Sequence, residues 1–315
     1  MGSAARIGHW GEGGVTGKRV GIAGLGIMGS AIWPNLAAAG FDVIGYDPDA
    51  ARVAAFRAAG GRPVPGLAAM AKETDAIVSL LPSVRALEEV VSGPLGIVAS
   101  KVSNLVLIEC STLPIAAKLD ARDRLAVSGN TALDCPLSGT GAQAAAKDLG
   151  AYASGERAAF DGVAPVIAGF CDAVHYVGAF GNGSRMKFVA NLLVSIHNAS
   201  TAEAFVLGMK AGLDPRDIME VVRGGAGGSR MFDVRGPMMV EEAYLPATMK
   251  VSIWQKDVSI ISDFARGLDC PVPLFAAAAQ LYSAAMARGL GDHDTAAICQ
   301  VLEEMARVER DETAT

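Results

Sequence analysis

The chain has 315 residues, 51% of them hydrophobic and 19% charged, a composition that excludes intrinsic disorder and suffices for one large domain or two ordinary ones. With 33 acidic against 27 basic residues, the formal charge is −6 and no basic block occurs, so neither a nucleic-acid surface nor an anionic-membrane surface is expected. Apolar runs are interrupted by Gly, Ser or charge before the roughly 18 residues that a membrane span requires.

Residues 1–17 are Gly-rich and lack the apolar core of a signal peptide, and they read as a loose, flexible leader. From Arg19 onward, short apolar runs alternate with helical patterns: 20–23 then 31–39, 43–46 then 50–59, 76–80 then 84–91, and 105–108 then 115–125. That alternation predicts a parallel sheet covered by helices, which further strands at 132–135, 151–154 and 173–177 are expected to extend. Gly181-Asn182-Gly183 breaks the pattern. A long helix is expected over 184–209, stopped at Gly212, and helical stretches at 215–222, 249–266, 274–288 and 295–310 complete the second half. The chain is therefore divided into a first domain over 18–180 and an all-helical domain over 181–315.

The sharpest motif is Gly24-Leu25-Gly26-Ile27-Met28-Gly29, a G-x-G-x-x-G between an expected strand and an expected helix. Gly24 permits a tight turn, Gly26 leaves room for a pyrophosphate, and Gly29 lets helix and strand pack closely, while the helix N-terminus offers free N–H groups. Asp47 ends the next strand 18 residues past the last glycine, the spacing of an acid that binds adenosine ribose hydroxyls. Fold class follows from this context: an α/β N-terminal Rossmann-type domain with a mostly parallel sheet, then an all-α C-terminal domain. The expected cofactor is NAD rather than NADP, because Asp47 would repel a 2′-phosphate.

On the long helix, Ser184, Lys187, Asn191, Ser195 and Asn198 share one stripe, and most other positions are apolar. A helix so apolar around its circumference is expected to be buried. Its polar stripe must then meet a ligand, a water-lined cavity or another polar surface. Covering so much apolar surface also calls for a second copy, so a homodimer or homotetramer through the helical domain is expected.

Cys110, Cys135, Cys171, Cys270 and Cys299 lie far apart without a C-x-x-C, and the four histidines form no H-x-x-x-H. Neither disulfides nor a metal site is expected, and the reducing cytoplasm is the expected compartment. His175, His197 and His293 read as structural residues.

Four separated motifs resemble the β-hydroxyacid dehydrogenases, the group of 3-hydroxyisobutyrate dehydrogenase and tartronate semialdehyde reductase. They are the glycine loop from Gly21, Glu109-Cys110-Ser111-Thr112-Leu113-Pro114, Asp134-Cys135-Pro136-Leu137-Ser138-Gly139-Thr140, and Gly183 to Asn191; Arg235-Gly236-Pro237 and Lys256-Asp257 also match. The resemblance implies hydride transfer between a nicotinamide and a small hydroxyacid, with Lys187 as general acid–base and Asn191 orienting the reacting oxygen. It implies that Ser138 and the backbone N–H groups of the loop through Gly139 hold the substrate carboxylate, with Thr140 beside the substrate, where it either narrows the pocket or donates to an extra hydroxyl or acidic group. Leu81, Pro82, Thr112 and Lys256 join the glycine loop and Asp47 on the cofactor side. Three positions depart from the family pattern: Thr140 and Lys147 stand where glycines are usual, and Ala190 replaces the first asparagine of a pair. The alternatives are an imine reductase on the same architecture, whose lysine position usually holds another residue, and a non-catalytic dinucleotide-binding module, against which Lys187 and Asn191 both argue.

Overall fold

A computed structural model describes residues 18–310; the expected leader at 1–17 lies outside them. The first half runs β1 (Arg19–Ala23), α1 (Ile27–Ala38), β2 (Asp42–Tyr46), α2 (Ala50–Ala58), β3 (Arg62–Pro63), α3 (Leu67–Glu73), β4 (Ala76–Ser79), α4 (Val84–Ser92), β5 (Val106–Glu109), α5 (Ile115–Val127) and β6 (Thr131–Asp134). These six strands form one parallel sheet in the order β3-β2-β1-β4-β5-β6. Strands β4 and β5 are buried at every residue, because helices cover both faces, and that is why they read as continuous apolar runs. Ile22, Ile32, Val78 and Ile167 belong to the core on one side, and Ile44, Met70, Ile77 and Leu107 to the core on the other.

Strand register brings the C-terminal ends level. Ala23 lies opposite Tyr46 and Ser79, Ser79 opposite Glu109, and Glu109 opposite Asp134. The strand order reverses between β1 and β4 at this same edge, where parallel sheets of this kind open a crevice for ligands.

The strands expected at 151–154 and 173–177 do not extend that sheet. They are β8 (Gly150–Ala153) and β9 (Ala173–Tyr176), which form a separate three-stranded sheet with β7 (Leu137–Ser138) in the order β7-β8-β9. Pro136 supplies the physical reason, because it lacks the N–H that would carry the ladder past Cys135. Asp134 and Ser154 instead exchange backbone hydrogen bonds of 2.9 and 2.8 Å, turning the chain into the second sheet. Between its strands lie α6 (Gly141–Ala145) and α7 (Arg157–Phe170). The latter has no counterpart among the expected helices, since Gly162, Pro165 and Gly169 interrupt its pattern. Gly169 is needed for contact: a Cβ there would sit 3.0 Å from Leu36 of α1.

Helix α8 (Asn182–Lys210) has 29 residues. The chain divides into two compact units within it, between Lys187 and Phe188. The second unit continues with α9 (Pro215–Arg223), α10 (Arg230–Val240), α11 (Val251–Arg266), α12 (Pro273–Ala287) and α13 (Ile298–Ala306). Inside this unit Asn198 donates to Tyr282 Oη at 3.1 Å and to the Thr295 carbonyl at 2.9 Å. Burial pushes the Tyr282 hydroxyl up to about 12. These two hydrogen bonds and the one from Tyr282 to the Ser195 carbonyl account for the far end of the polar stripe.

Helix α6 ends in a Schellman arrangement. The Asp148 amide donates to Gln143 O at 2.8 Å and the Lys147 amide to Ala144 O at 3.1 Å, with Lys147 at φ 60°. That position ordinarily takes glycine, because a Cβ is strained in the left-handed region. The exposed Lys147→Gly variant is therefore expected to stabilise the protein by about 1 kcal/mol, read as a higher urea midpoint at unchanged slope.

Candidate active site

The glycine loop sits at the sheet edge where the strand ends are level. A Cβ on Gly24, which has φ 102°, would lie 2.3 Å from Leu80 O, and one on Gly29 would lie 1.9 Å from Gly24 O. Both glycines are demanded by the protein's own backbone. Gly26 is different: a Cβ there would meet only an Arg52 nitrogen at 3.6 Å, so the space beside it is open to a ligand. Gly26 also N-caps α1 without a side-chain hydrogen bond, and no acidic residue occupies the first turn. The first amides and the positive end of the helix thus remain available to an anion. Ile27 is exposed in that first turn, and Leu25 is buried, its amide donating to Asp47 Oδ2 at 2.8 Å.

Asp47 is 5% exposed at the end of β2 and also accepts from the Asp49 amide at 2.9 Å. Arg52 reaches within 3.4 Å of it; sequence reasoning did not single out this arginine, five residues on in α2. Leu81 and Pro82 follow β4, and the Leu81 amide donates to Ser111 Oγ at 2.8 Å. The half-buried Thr112 comes next in the β5 loop. The residues expected at the nucleotide in this unit thus follow the ends of four adjacent strands.

Beneath them is a buried ion cluster. Lys118 Nζ lies 2.6 Å from Glu109 Oε2 and 2.8 Å from Asp134 Oδ1. Lys118 is 1% exposed, Glu109 2% and Asp134 0%. Burial by itself would pull the Lys118 ammonium down, but the two carboxylates outweigh it and hold its pKa above the ordinary lysine value. The second Glu109 oxygen accepts from the Ser111 amide at 3.0 Å. Asp134 accepts from the Ser184 amide and hydroxyl, both at 2.7 Å. A signal for the cluster existed in the sequence, since Lys118 falls with Ala121 and Leu125 on the buried face of α5.

After β6 the chain enters the candidate substrate loop. Ser138 is half-buried, and Gly139 has φ 135° with Leu149 Cδ2 2.5 Å from where a Cβ would stand. Thr140 N-caps α6 in a capping box with Gln143, whose Oε1 accepts from the Thr140 amide at 3.1 Å. Its side chain is thus engaged in starting that helix. Lys187, 9% exposed, lies in the second turn of α8. Asn191 follows one turn later, and its amide donates to Asp257 Oδ2 at 2.9 Å. Lys256 Nζ lies 3.3 Å from the other Asp257 oxygen. Asp257, which the sequence marks only as half of the Lys256-Asp257 dipeptide, thus contacts both Asn191 and Lys256.

Residues 19–178 match the family model described as the NAD binding domain of 6-phosphogluconate dehydrogenase. Residues 181–302 match that described as the NAD-binding of NADP-dependent 3-hydroxyisobutyrate dehydrogenase. The L-threonate dehydrogenase of Cupriavidus necator is 33% identical over 285 residues, covering 90% of this chain and 96% of the relative. The 2-(hydroxymethyl)glutarate dehydrogenase of Eubacterium barkeri is 29% identical over 290 residues, covering 92% and 96%. A crystal structure of 3-hydroxyisobutyrate dehydrogenase from Salmonella typhimurium superposes with a TM-score of 0.81 at 29% identity, over 90% of this chain and 99% of that one.

The two kinds of glycine should separate experimentally. Gly26→Ala is expected to leave the melting temperature within about 2 °C of the parent while weakening NADH binding at least about tenfold. Gly29→Ala is expected to lower the melting temperature itself, because its Cβ has no room. Differential scanning fluorimetry beside an NADH fluorescence titration checks both.

Proposed function

The chain belongs to the β-hydroxyacid dehydrogenase family, and we propose that it interconverts a short β-hydroxyacid and its semialdehyde, with NAD as the preferred cofactor. The observation that carries this reading is the buried Lys187 on the polar stripe of α8, one turn from an asparagine whose amide is held by Asp257. In this reading Lys187 takes the hydroxyl proton during oxidation and returns it during reduction, and the Asn191 amide orients the reacting oxygen. Ser138 and the loop amide of Gly139 hold the substrate carboxylate, and Thr140, engaged in capping α6, borders the pocket. A nicotinamide, when bound, supplies the hydride chemistry. The open side of Gly26, the free first turn of α1 and the acid at Asp47 fit such a dinucleotide, with Leu81, Pro82, Thr112 and Lys256 completing its contacts.

Preference for NAD follows from charge. Asp47 is a buried carboxylate at the ribose end, and a 2′-phosphate there would meet like charge. We place the substrate among short hydroxyacids with a further hydroxyl or carboxylate, following the names of the threonate and 2-(hydroxymethyl)glutarate relatives. The decisive experiment measures kcat/KM for a panel of such acids and semialdehydes with NAD and NADP, in the parent and in Lys187→Met. Turnover favouring NAD, with kcat at least about 100-fold lower in the variant, is the expected result. Equal turnover in the variant would remove Lys187 from the chemistry.

We propose further that the protein is cytoplasmic and assembles as a homodimer or homotetramer through its helical domain. Support comes from α8, whose polar stripe is buried while Met186, Val189, Leu193 and Leu207 are 44 to 74% exposed. An outward face of this kind on a long helix calls for a covering surface. Light scattering at micromolar concentration is expected to give at least twice the mass of one chain, and a stable monomer would overturn the assembly.

A further inference from the structure

We propose that the Glu109–Lys118–Asp134 ion cluster is a positioning device: it ties the nucleotide loops after β4 and β5, the root of the substrate loop after β6, and the first turn of α8 to one buried ammonium, and so sets where Lys187 stands. The proposal rests on the functional reading above for the role of Lys187, and on geometry for everything else.

Each tie is a direct contact. Lys118 Nζ holds one carboxylate at the end of β5 and another at the end of β6, at 2.6 and 2.8 Å. From Glu109 the connection passes to the Ser111 amide at 3.0 Å, and from Ser111 Oγ to the Leu81 amide at 2.8 Å. From Asp134 it passes to the Ser184 amide and hydroxyl, both at 2.7 Å. Ser154 Oγ donates to the Asp134 carbonyl at 3.1 Å and accepts from the Gly183 amide at 2.9 Å. Gly183 packs so closely that a Cβ would lie 2.2 Å from Tyr152 O and 2.6 Å from Asp134 O. The start of α8 is therefore pinned by its backbone and by a side chain, and Lys187 comes only three residues after Ser184.

Charge explains why the anchor is ionic. Two carboxylates and one ammonium leave one buried negative charge, and the N-terminus of α8 brings backbone N–H groups and partial positive charge to it. A neutral substitute for Asp134 would not meet Lys118 and two donors of Ser184 together. Charged hydrogen bonds are also short and directional, which suits a part that fixes position. None of Glu109, Lys118, Asp134 or Ser184 is assigned to touch substrate or cofactor, so the group acts through the segments it holds.

The test uses two variants of the full chain. Ser184→Ala removes one hydroxyl from Asp134 and spares the fold; Lys118→Met removes the shared cation. Hydrogen–deuterium exchange is followed in peptides covering 80–83, 110–113 and 182–187, and kcat and KM are measured per NADH-binding site, so that unfolded protein is not counted. The expected result for Ser184→Ala is faster exchange at 182–187 and a kcat lowered roughly tenfold, with KM for cofactor within about twofold. In Lys118→Met, exchange should rise in all three peptides together. Unchanged exchange at 182–187 in both variants overturns the proposal, as does faster exchange with parental kcat per site, which would leave the cluster a support of the fold alone. If the parent turns over no hydroxyacid, the functional reading fails instead. The exchange result then decides the anchor by itself: a joint rise upholds it, and a rise confined to 110–113 overturns it.

Discussion

One buried ammonium joins the ends of β5 and β6 at the edge where the candidate site lies. Lys118 sits almost without solvent between two carboxylates that end neighbouring strands. Such an arrangement is costly to assemble, since three ions lose their hydration, and costlier to break: removing one partner of a buried pair typically costs about 3–5 kcal/mol. The asymmetry makes the cluster a poor source of net stability and a strong source of definition. Whatever else the loops at this edge do, they do it from positions that satisfy these charges.

The glycine loop depends on the same edge by a different route. Gly24 and Gly29 are fixed by backbone that leaves no room for a methyl group, whereas Gly26 faces open space. Within one six-residue motif, two glycines serve the fold and one leaves space open beside the backbone. Lys147 illustrates the opposite case. It keeps the left-handed backbone that a glycine would ordinarily occupy, and the chain tolerates the strain at an exposed helix end.

Helix α8 turns the usual amphipathic rule around. Its polar stripe is inside, satisfied by Asp134 at one end and by Asp257, Tyr282 and the Thr295 carbonyl further along, while large apolar side chains point outward. Burying the polar side is tolerated because Ser184, Asn191 and Asn198 each find a partner on another element and the Ser195 hydroxyl donates to the Asn191 carbonyl of its own helix. Stripe and partners lie far apart in sequence, and only packing brings them together.

Much of this was legible in the amino-acid order. Local patterns determined the alternation of strands and helices, the glycine loop with its acid at Asp47, and the long helix with Lys187 and Asn191 on one face, because each depends on residues within a few turns of one another. Gly and Pro obscured α7 and α10, where buried packing overrides weak helix propensity. The identity of the strands' partners was decided only in three dimensions: Pro136 ends one ladder and sends β8 and β9 into a second sheet. The tertiary structure alone also revealed Lys118 between Glu109 and Asp134, Ser184 beneath Asp134, and Asp257 beside Asn191. Sequence periodicity shows which face of a helix is polar, whereas the groups that meet that face are set by chain segments up to 97 residues away, and no local pattern carries that information.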